Sequence, residues 1–454
     1  MSKSVKLKIK RIYMDHAAAT PMDKGVKKAM NLYWTENFGN PNALYKEGLI
    51  ARNAVETARG DVAKVLGARA KEIIFTNGGT ESDNLAIFGI IGEAKQNLSR
   101  FTLPRSGAGS DASQDFDLPR LHIITTKFEH HAVLNACKQL EKEGFEVTYL
   151  DVGKDGIVNS EEVKRELKPE TILVSIMYAN NEIGTVQPIR EIAKVIRNFK
   201  KTLGSASQNL SRFTLPRSGA GSDASQDFDL PRPNATFPLF HTDACQAPGY
   251  LDLDVEKLGV DLMTINGSKI YGPKGIGLLY VKNGIKLKPI LYGGEQEKKL
   301  RPGTENVPAI VGLAKALKIA DKDKDKESAR LVKLRDYFIG KLLSEIPKTV
   351  LNGHPTQRLP NNINISILDA EGESIVLYLD EAGIACSTGS ACTSESLEPS
   401  HVILAIDKPH AYAHGAMRFS LGRSTTKKEI DFVMKVLPDI IKKLRMFSPV
   451  NIKI

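Results

Sequence analysis

The segment Leu262-Met-Thr-Ile-Asn-Gly-Ser-Lys-Ile-Tyr-Gly-Pro-Lys-Gly275 joins an apolar run to a turn of small residues that carries Lys269. The apolar run does not alternate with polar residues, which is typical of a strand buried on both faces of a sheet. The turn is not a Walker A loop, because Pro273 stands six positions after Gly267, where that motif has lysine. The segment therefore predicts a buried strand that delivers a lysine to one edge of a sheet.

Similar apolar runs recur through the first two thirds of the chain and alternate with amphipathic helical stretches. The further strand candidates are residues 73–76, 121–126, 147–150, 172–177, 237–242 and 276–281. This alternation predicts an α/β fold with a mainly parallel seven-stranded sheet between helices. From about Asn306 the pattern changes to a long charged helix, Ala309 to Ile346, followed by short strands near Ile363 to Leu368.

The change of pattern divides the chain into two expected domains. We expect a large domain at residues 22–296 and a smaller α+β domain formed by residues 1–21 together with residues 297–454. Ligands of open α/β sheets bind beyond the carboxyl ends of the strands, so the polar residues at those ends are the candidates for function.

Two identical tracts interrupt the pattern. Residues 96–120, Gln-Asn-Leu-Ser-Arg-Phe-Thr-Leu-Pro-Arg-Ser-Gly-Ala-Gly-Ser-Asp-Ala-Ser-Gln-Asp-Phe-Asp-Leu-Pro-Arg, recur without change at 208–232, whereas their flanks are unrelated. A structural repeat needs roughly three or more stacked units, so two copies do not make one. We interpret the tracts as loop insertions, the first after a helix over residues 83–95 and the second after a helix that ends near Lys201. A pair of matched docking loops is the alternative.

Composition excludes several classes of protein. The 41% of hydrophobic and 26% of charged residues are near globular averages, and no apolar run approaches the roughly 20 residues that cross a bilayer. The basic N-terminal residues lead into no apolar stretch of a signal peptide, and the four cysteines form no C-x-x-C pair, so we expect a cytoplasmic protein with free thiols. The net charge of +10 comes from interspersed basic and acidic residues, so we expect no direct nucleic-acid binding and no membrane association.

Polar turns follow several of the predicted strands. They lie at Thr76 to Asn84, Phe128 to His131, Tyr178 to Glu182 and Thr242 to Gln246. Any one of them is compatible with an ordinary turn. Together with Lys269 they suit pyridoxal 5'-phosphate, which needs a lysine amine, a carboxylate at its ring nitrogen and a phosphate cup. Lys269, Asp243 and the Gly79-Thr80 turn supply these three groups.

The chain also resembles a known family, the class V pyridoxal phosphate enzymes of fold type I and, within them, the cysteine desulfurases of the NifS and IscS type. The resemblance covers nearly the whole chain apart from the two tracts. Its motifs, in order, are Tyr13 to Pro21, Phe38-Gly-Asn-Pro41, Thr76 to Asn84, Glu129-His130, Asn180 to Gly184, His241 to Gln246, Ser268 to Gly275, Arg301 to Thr304, Cys386 to Ser394 and Arg418 to Gly422.

The resemblance implies roles around the cofactor ring. Lys269 would hold the cofactor covalently and later move the substrate's α-proton, while His130 would stack on the ring and assist proton transfer. Asp243 would pair with the ring nitrogen, and Gln246 would bond the ring's phenolic oxygen. We expect no metal.

The resemblance also implies roles around the phosphate and the substrate. Gly79, Thr80 and Ser268 would hold the phosphate, with Thr304 reaching in from the other subunit of a homodimer. The substrate α-carboxylate would be bound by Arg418, whose planar fork suits it, and by Asn181, which also belongs to the cofactor site.

Two residues depart from the commoner family pattern. Asn266 stands where serine or threonine is usual, and Ser268 stands where many members have histidine. Both positions belong to the phosphate region, so they bear on cofactor affinity more than on the chemistry.

The implied reaction converts L-cysteine to L-alanine and leaves the sulfur on Cys392 as a persulfide. This sulfur would then pass to an acceptor, either an iron-sulfur scaffold protein or a protein of tRNA thiolation. The small and polar residues around Cys392 favour a mobile loop, whereas Cys386, Cys137 and Cys245 are expected to be packing residues. The alternatives are a selenocysteine lyase or related class V aminotransferase, or a protein that acts mainly as a sulfur-carrier assembly platform.

Overall fold

The computed structural model describes residues 11–102, 121–211, 237–388 and 399–447. Cys392, whose role the sequence predicts, therefore lies outside the described residues, as does most of each repeated tract.

Short strands alternate with helices along the described chain. The strands are β1 (Ile12–Tyr13), β2 (Ile73–Thr76), β3 (His122–Thr126), β4 (Glu146–Leu150), β5 (Thr171–Ser175), β6 (Leu239–Asp243), β7 (Leu262–Asn266), β8 (Gly277–Val281), β9 (Thr349–Leu351), β10 (Asn362–Ile367), β11 (Ile384–Ala385) and β12 (Ala416–Ser420). The helices are α1 (Lys24–Thr35), α2 (Lys46–Leu66), α3 (Gly79–Thr102), α4 (His131–Lys142), α5 (Ser160–Glu166), α6 (Ile189–Ser211), α7 (Val255–Leu258), α8 (Val307–Glu345), α9 (Gly372–Glu381), α10 (His401–Ala405), α11 (His410–His414) and α12 (Lys427–Phe447).

The seven-stranded sheet has the order β2-β8-β7-β6-β5-β3-β4. Neighbours from β7 to β4 pair in parallel, whereas β8 runs antiparallel to both β2 and β7. Every residue of β3, β5, β6 and β8 is buried, as expected for strands that are covered on both faces of the sheet. The predicted α/β class and the mainly parallel seven-stranded sheet are confirmed.

Two hydrophobic clusters cover the two faces of this sheet. Helices α3 and α4 pack on one face through residues such as Leu85 and Val133. The other face is covered by α2, α6 and the first half of α8, through residues such as Val62 and Ile192. None of the helices in the described ranges is both long and apolar enough to cross a membrane.

A third cluster lies around the antiparallel sheet β12-β10-β9 and the parallel pair β1-β11. Helix α8 belongs to two clusters, because Leu313 and Leu317 pack with the large sheet while Phe338 and Leu342 pack with the small one. The pairing of β1 with β11 ties the N-terminal segment to the C-terminal third. The proposed domain limits at residues 22 and 297 stay a prediction.

Helices α3 and α6 are longer than the sequence suggested. They end at Thr102 and Ser211, so each continues into the first residues of a repeated tract. The expected helix ends at Lys95 and near Lys201 are therefore wrong. The tract begins Gln-Asn-Leu-Ser, which contains no glycine or proline to stop a helix.

Candidate active site

A cavity of about 290 Å³ lies at the carboxyl ends of the parallel strands. Eight of the predicted site residues line it: Gly79, Thr80, His130, Asn181, Asp243, Gln246, Lys269 and Arg418. An open pocket of about 770 Å³ adjoins it and is lined by Ser268 together with Gly79 and Thr80. Of the described residues predicted for the site, Thr304 alone lines neither space.

Lys269 enters the cavity from a short turn after β7. Asn266 caps this turn, since its Oδ1 accepts from the Ser268 amide and hydroxyl, both at 3.1 Å. A Cβ at Gly267 would lie 2.9 Å from the Pro273 carbonyl oxygen, so the turn has room only for glycine there. The Lys269 Nζ donates to the carbonyl of Ala18 at 2.5 Å. The turn thus holds a primary amine at the cavity wall.

Asp243 ends strand β6, next to β7 in the sheet. Its side chain is 7% exposed, and its Oδ1 accepts from the Cys245 amide at 2.8 Å. Gln246 reaches the N-terminal segment, where its Nε2 donates to the Ala17 carbonyl at 3.1 Å. Because β6 and β7 are parallel neighbours, Asp243 and Lys269 arrive at the same edge of the sheet.

The N-terminus of α3 forms the end of the cavity that adjoins the open pocket. Gly79 begins this 24-residue helix, and a Cβ added there would lie 2.7 Å from the Sγ of Cys245. The first amides of a helix have no carbonyl partner within the helix and favour an anion. The hydroxyls of Thr80 and Ser268 face the adjoining pocket. These groups are suited to hold a phosphate.

His130 caps helix α4. Its Nδ1 accepts from the Ala132 amide at 3.1 Å, and burial lowers the pKa of its imidazole. The neutral ring therefore carries its proton on Nε2.

Arg418 fixes the opposite wall of the cavity. Its Nη2 donates to Oδ1 of Asp15 at 2.9 Å, and its Nη1 donates to the Asn181 carbonyl at 3.0 Å. The Nε of Arg418 and the Oδ1 of Asn181 are buried without a hydrogen-bond partner among the described residues. Buried polar atoms of this kind are normally paired, so this wall is built for a polar ligand.

Three residues in or beside the cavity were not predicted as site residues. Asp15 belongs to the motif Tyr13 to Pro21. Its role was missed because the residue that it contacts, Arg418, lies 403 positions away in the sequence. His401 lines the cavity and donates through Nε2 to the Glu129 carbonyl at 2.9 Å. Asp83 lies one helical turn beyond Gly79 and is 1% exposed. The signal in the sequence for Asp83 was its position as an acid inside the Thr76 to Asn84 motif.

Known proteins are similar to this chain both in sequence and in fold. The pattern of the family Aminotransferase class-V matches residues 12–100, 114–211 and 235–433. Cysteine desulfurase IscS of Methanosarcina thermophila is 46% identical over 444 residues, which are 98% of this chain and 95% of the relative. A solved structure titled NifS-like protein is 31% identical with a TM-score of 0.78, over 95% of this chain and 100% of that one. SspA in complex with cysteine is 33% identical with a TM-score of 0.69, over 90% of this chain and 98% of that one. The chain belongs to the class-V aminotransferase family.

Proposed function

We propose that the protein is a cysteine desulfurase, a sulfurtransferase that uses pyridoxal 5'-phosphate to convert L-cysteine to L-alanine. The observation that carries the proposal is the meeting of Lys269, Asp243 and Arg418 in one cavity. The curated relatives named cysteine desulfurase, which align with nearly the whole chain, support it. The similar fold of SspA, solved with cysteine, supports the substrate.

The donor groups of the cavity fit pyridoxal 5'-phosphate. The amine of Lys269 and the carboxylate of Asp243 lie on neighbouring strand ends, and the amides at the start of α3 lie at one end of the same cavity. The bound cofactor would withdraw electrons from the α-carbon of the substrate. Lys269 Nζ would hold the cofactor covalently and later carry the α-proton.

The other ring contacts follow from the wall residues. The ionised Asp243 would compensate a protonated ring nitrogen, and Gln246 would bond the phenolic oxygen. His130, neutral and with its proton on Nε2, would stack on the ring and donate that proton. The phosphate would be held by Gly79, Thr80 and Ser268.

Asn266 and Ser268 act as a pair in this site. The Oδ1 of Asn266 is occupied by the amide and hydroxyl of Ser268, so only its NH₂ group remains as a donor to the cavity. A neutral serine and amide thus replace the histidine and hydroxyl of the commoner pattern, and the cofactor's phosphate would receive less positive charge from this turn.

The substrate carboxylate would bind at Arg418 and Asn181. The buried Nε of Arg418 has no other partner among the described residues and can donate to the carboxylate. Asp15 holds the guanidinium in its plane through Nη2. This wall would orient the substrate's α-carbon toward Lys269.

Sulfur transfer would occur on Cys392. The Cβ–S bond of L-cysteine breaks and an S–S bond forms to the Cys392 sulfur, giving L-alanine and a Cys392 persulfide with the same total of atoms and electrons. Cys386 is unsuited to this role, because burial raises the pKa of its thiol to about 12 and leaves almost no thiolate at neutral pH.

A homodimer completes the proposed site. Large apolar side chains are strongly exposed at Trp34, Phe38, Leu44, Tyr45 and Tyr292, which is typical of a surface that another subunit covers. Leu291, beside Tyr292, lines the open pocket next to Thr80 and Ser268. Thr304 of the partner subunit would reach the phosphate there. We further propose a cytoplasmic location and an iron-sulfur scaffold or tRNA-thiolation protein as the sulfur acceptor.

The test is turnover of free L-cysteine by the purified protein, supplied with the cofactor and a thiol reductant but with no partner. Equal amounts of L-alanine and sulfide are expected, and none from the Cys392→Ser variant. Alanine formation that persists in Cys392→Ser would favour a thiol-independent lyase, and no alanine from the wild type would favour an assembly platform.

A further inference from the structure

Asp83 is an acid of the cavity that the proposed function does not use. It lies on α3 and lines the same cavity as Asp243. Its side chain is 1% exposed, and its Oδ1 has no hydrogen-bond partner among the described residues. The Nε2 of His241 lies 3.7 Å from this oxygen, which is beyond hydrogen-bond distance.

Asp83 forms no ion pair with a charged group in the part of the chain that the structure describes. His241 is engaged by the hydroxyls of Ser175 at 2.9 Å and Thr264 at 3.1 Å, and burial lowers the pKa of His241 to about 4. The ring is therefore neutral. No lysine or arginine forms an ion pair with Asp83 within the described ranges, and Lys269 Nζ donates to the Ala18 carbonyl instead.

The charged groups that act on the pKa of Asp83 are two other acids, Asp243 and Glu129. Burial and the charge of Asp243 raise the pKa of Asp83 well above the usual range, against a hydrogen bond with Thr264 that lowers it, and Glu129 makes a smaller contribution that raises it. Burial also raises the pKa of the neighbouring Cys245 thiol, so that thiol is uncharged. Two buried carboxylates that lie close together disfavour the ionisation of both, and the one with fewer donors to its oxygens takes up the proton. Asp243 has an amide donor for its charge, from Cys245 at 2.8 Å, whereas Asp83 Oδ1 has none.

We infer that Asp83 is a positioning residue of the active site, a buried carboxylic acid that stays neutral beside His241 and Thr264. Because Asp83 is neutral, Asp243 is the single negative charge that faces the cofactor's ring nitrogen. The inference rests on the proposed place of the cofactor. One negative charge matches one protonated ring nitrogen, whereas an ionised Asp83 would add a second. The neutral acid also continues the uncharged polar layer formed by His241, Thr264 and Ser175.

The protonation of Asp83 has a consequence for stability that does not depend on catalysis. The folded protein holds this proton more tightly than the unfolded chain, so the contribution of Asp83 to stability falls as the pH rises above the ordinary carboxyl range. Asparagine has the same shape and no proton to lose. Asp83→Asn should therefore melt at a higher temperature than the wild type, and the difference should grow as the pH rises above the ordinary carboxyl range.

The experiment compares the holoenzymes of wild type, Asp83→Asn and a control, Asp261→Asn. Asp261 is also buried, but it is paired with Lys200 and Lys282. Infrared difference spectra should show that Asp83→Asn removes a protonated carboxyl band, whereas Asp261→Asn removes a carboxylate band. Asp261→Asn should melt at a lower temperature than the wild type, the opposite of Asp83→Asn. The pH midpoint of the bound cofactor's visible absorbance should stay unchanged in Asp83→Asn.

Loss of a carboxylate band in Asp83→Asn, or a cofactor midpoint that moves by a full pH unit, would overturn the inference. If Asp83→Asn does not accumulate, Asp83→Ser removes the same band and serves the infrared measurement. Failure of the wild type to make alanine from cysteine would refute the proposed function, while the infrared and melting results would still decide the state of Asp83.

Discussion

Arg418, which lines the cavity, forms a partly buried ion pair with Asp15, with Nη2 donating to Oδ1 at 2.9 Å across 403 positions of sequence. The contact joins β12 of the small sheet to the N-terminal segment. The same guanidinium donates through Nη1 to the carbonyl of Asn181, which lies in the segment between β5 and α6. Three distant parts of the chain thus fix the plane of one arginine, and its Nε is left for a ligand.

Asp15→Asn should weaken substrate binding more than chemistry. The substitution removes the charge that holds Arg418 in its plane. A hydrogen bond between charged groups contributes ~1–2 kcal/mol here. Its loss corresponds to a KM for cysteine that is about 5- to 30-fold higher, with a similar kcat. Steady-state alanine production measures both constants. The control is Asp252→Asn, which breaks the exposed pair with Arg190 and should change neither. A collapse of kcat at unchanged KM in Asp15→Asn would assign Asp15 to the chemical step instead.

Lys269 should be the residue that bonds the cofactor. Borohydride reduction followed by peptide mapping should place the label on Lys269, and Lys269→Ala should lose the label while it binds the cofactor noncovalently. Lys274 provides the control, because it lies in the same turn but lines the open pocket. Lys274→Ala should keep the label, and a label found on Lys274 in the wild type would contradict the assignment.

Asp243→Asn should slow removal of the substrate's α-proton. The change keeps the size of the side chain and removes its charge, and breaking a buried charge pair costs ~3–5 kcal/mol, or about two to four decades in rate. Exchange of the α-proton of cysteine or alanine with deuterated solvent measures this step directly. Asp254→Asn, which alters a helix cap at the surface, is the control and should exchange at the wild-type rate. Near-normal exchange in Asp243→Asn would show that Asp243 does not face the ring nitrogen.

Cys392 and Cys386 should differ completely in function. Cys392→Ser should still change the absorbance of the cofactor on addition of cysteine, because binding needs Lys269 and Arg418 only, yet should release almost no alanine or sulfide. Cys386 is 8% exposed and its pKa is raised to about 12, so Cys386→Ser should stay active. Absorbance spectra and alanine release test both variants. The reverse pattern would move the persulfide to Cys386.

Sequence reasoning predicted those parts of the site that short segments determine. Asp243 and Lys269 each end an apolar run, and parallel neighbours in a sheet necessarily bring such ends together. The Asp15 contact could not be predicted, because it depends on how the N-terminal segment crosses to β12. The burial of Asp83 is likewise a property of packing between α3 and the sheet, which a helix motif does not reveal. The sequence predicts α8 as one charged helix, and only the structure shows that its residues Leu317 and Phe338 pack in different hydrophobic clusters.

The repeated tracts begin far from the proposed site. Helix α3 starts in the cavity at Gly79 and has 24 residues, so at ~1.5 Å per residue its last residue lies about 35 Å away along the helix. Helix α6 follows β5 in the same sense, and the two helices pack on opposite faces of the sheet. The family pattern also leaves out residues 101–113 and 212–234, which belong largely to the tracts. Both tracts thus leave the fold at the edge of the sheet opposite the cavity.

Deletion of residues 96–120, of 208–232, or of both should leave the isolated enzyme nearly unchanged. A longer surface loop costs only ~0.6 kcal/mol for each doubling of its length, so removing the tracts should change the melting temperature by no more than a few degrees. Turnover of cysteine should stay within about twofold, because none of the cavity-lining residues that the structure describes belongs to either tract. The measurements are thermal unfolding and alanine production by the three deletion variants.

The controls replace each tract with a Gly/Ser linker of equal length, which separates the effect of loop length from that of the tract's sequence. A tenfold or larger loss of turnover with the fold intact would show that a tract reaches the active site or the subunit interface, and that it is more than an insertion.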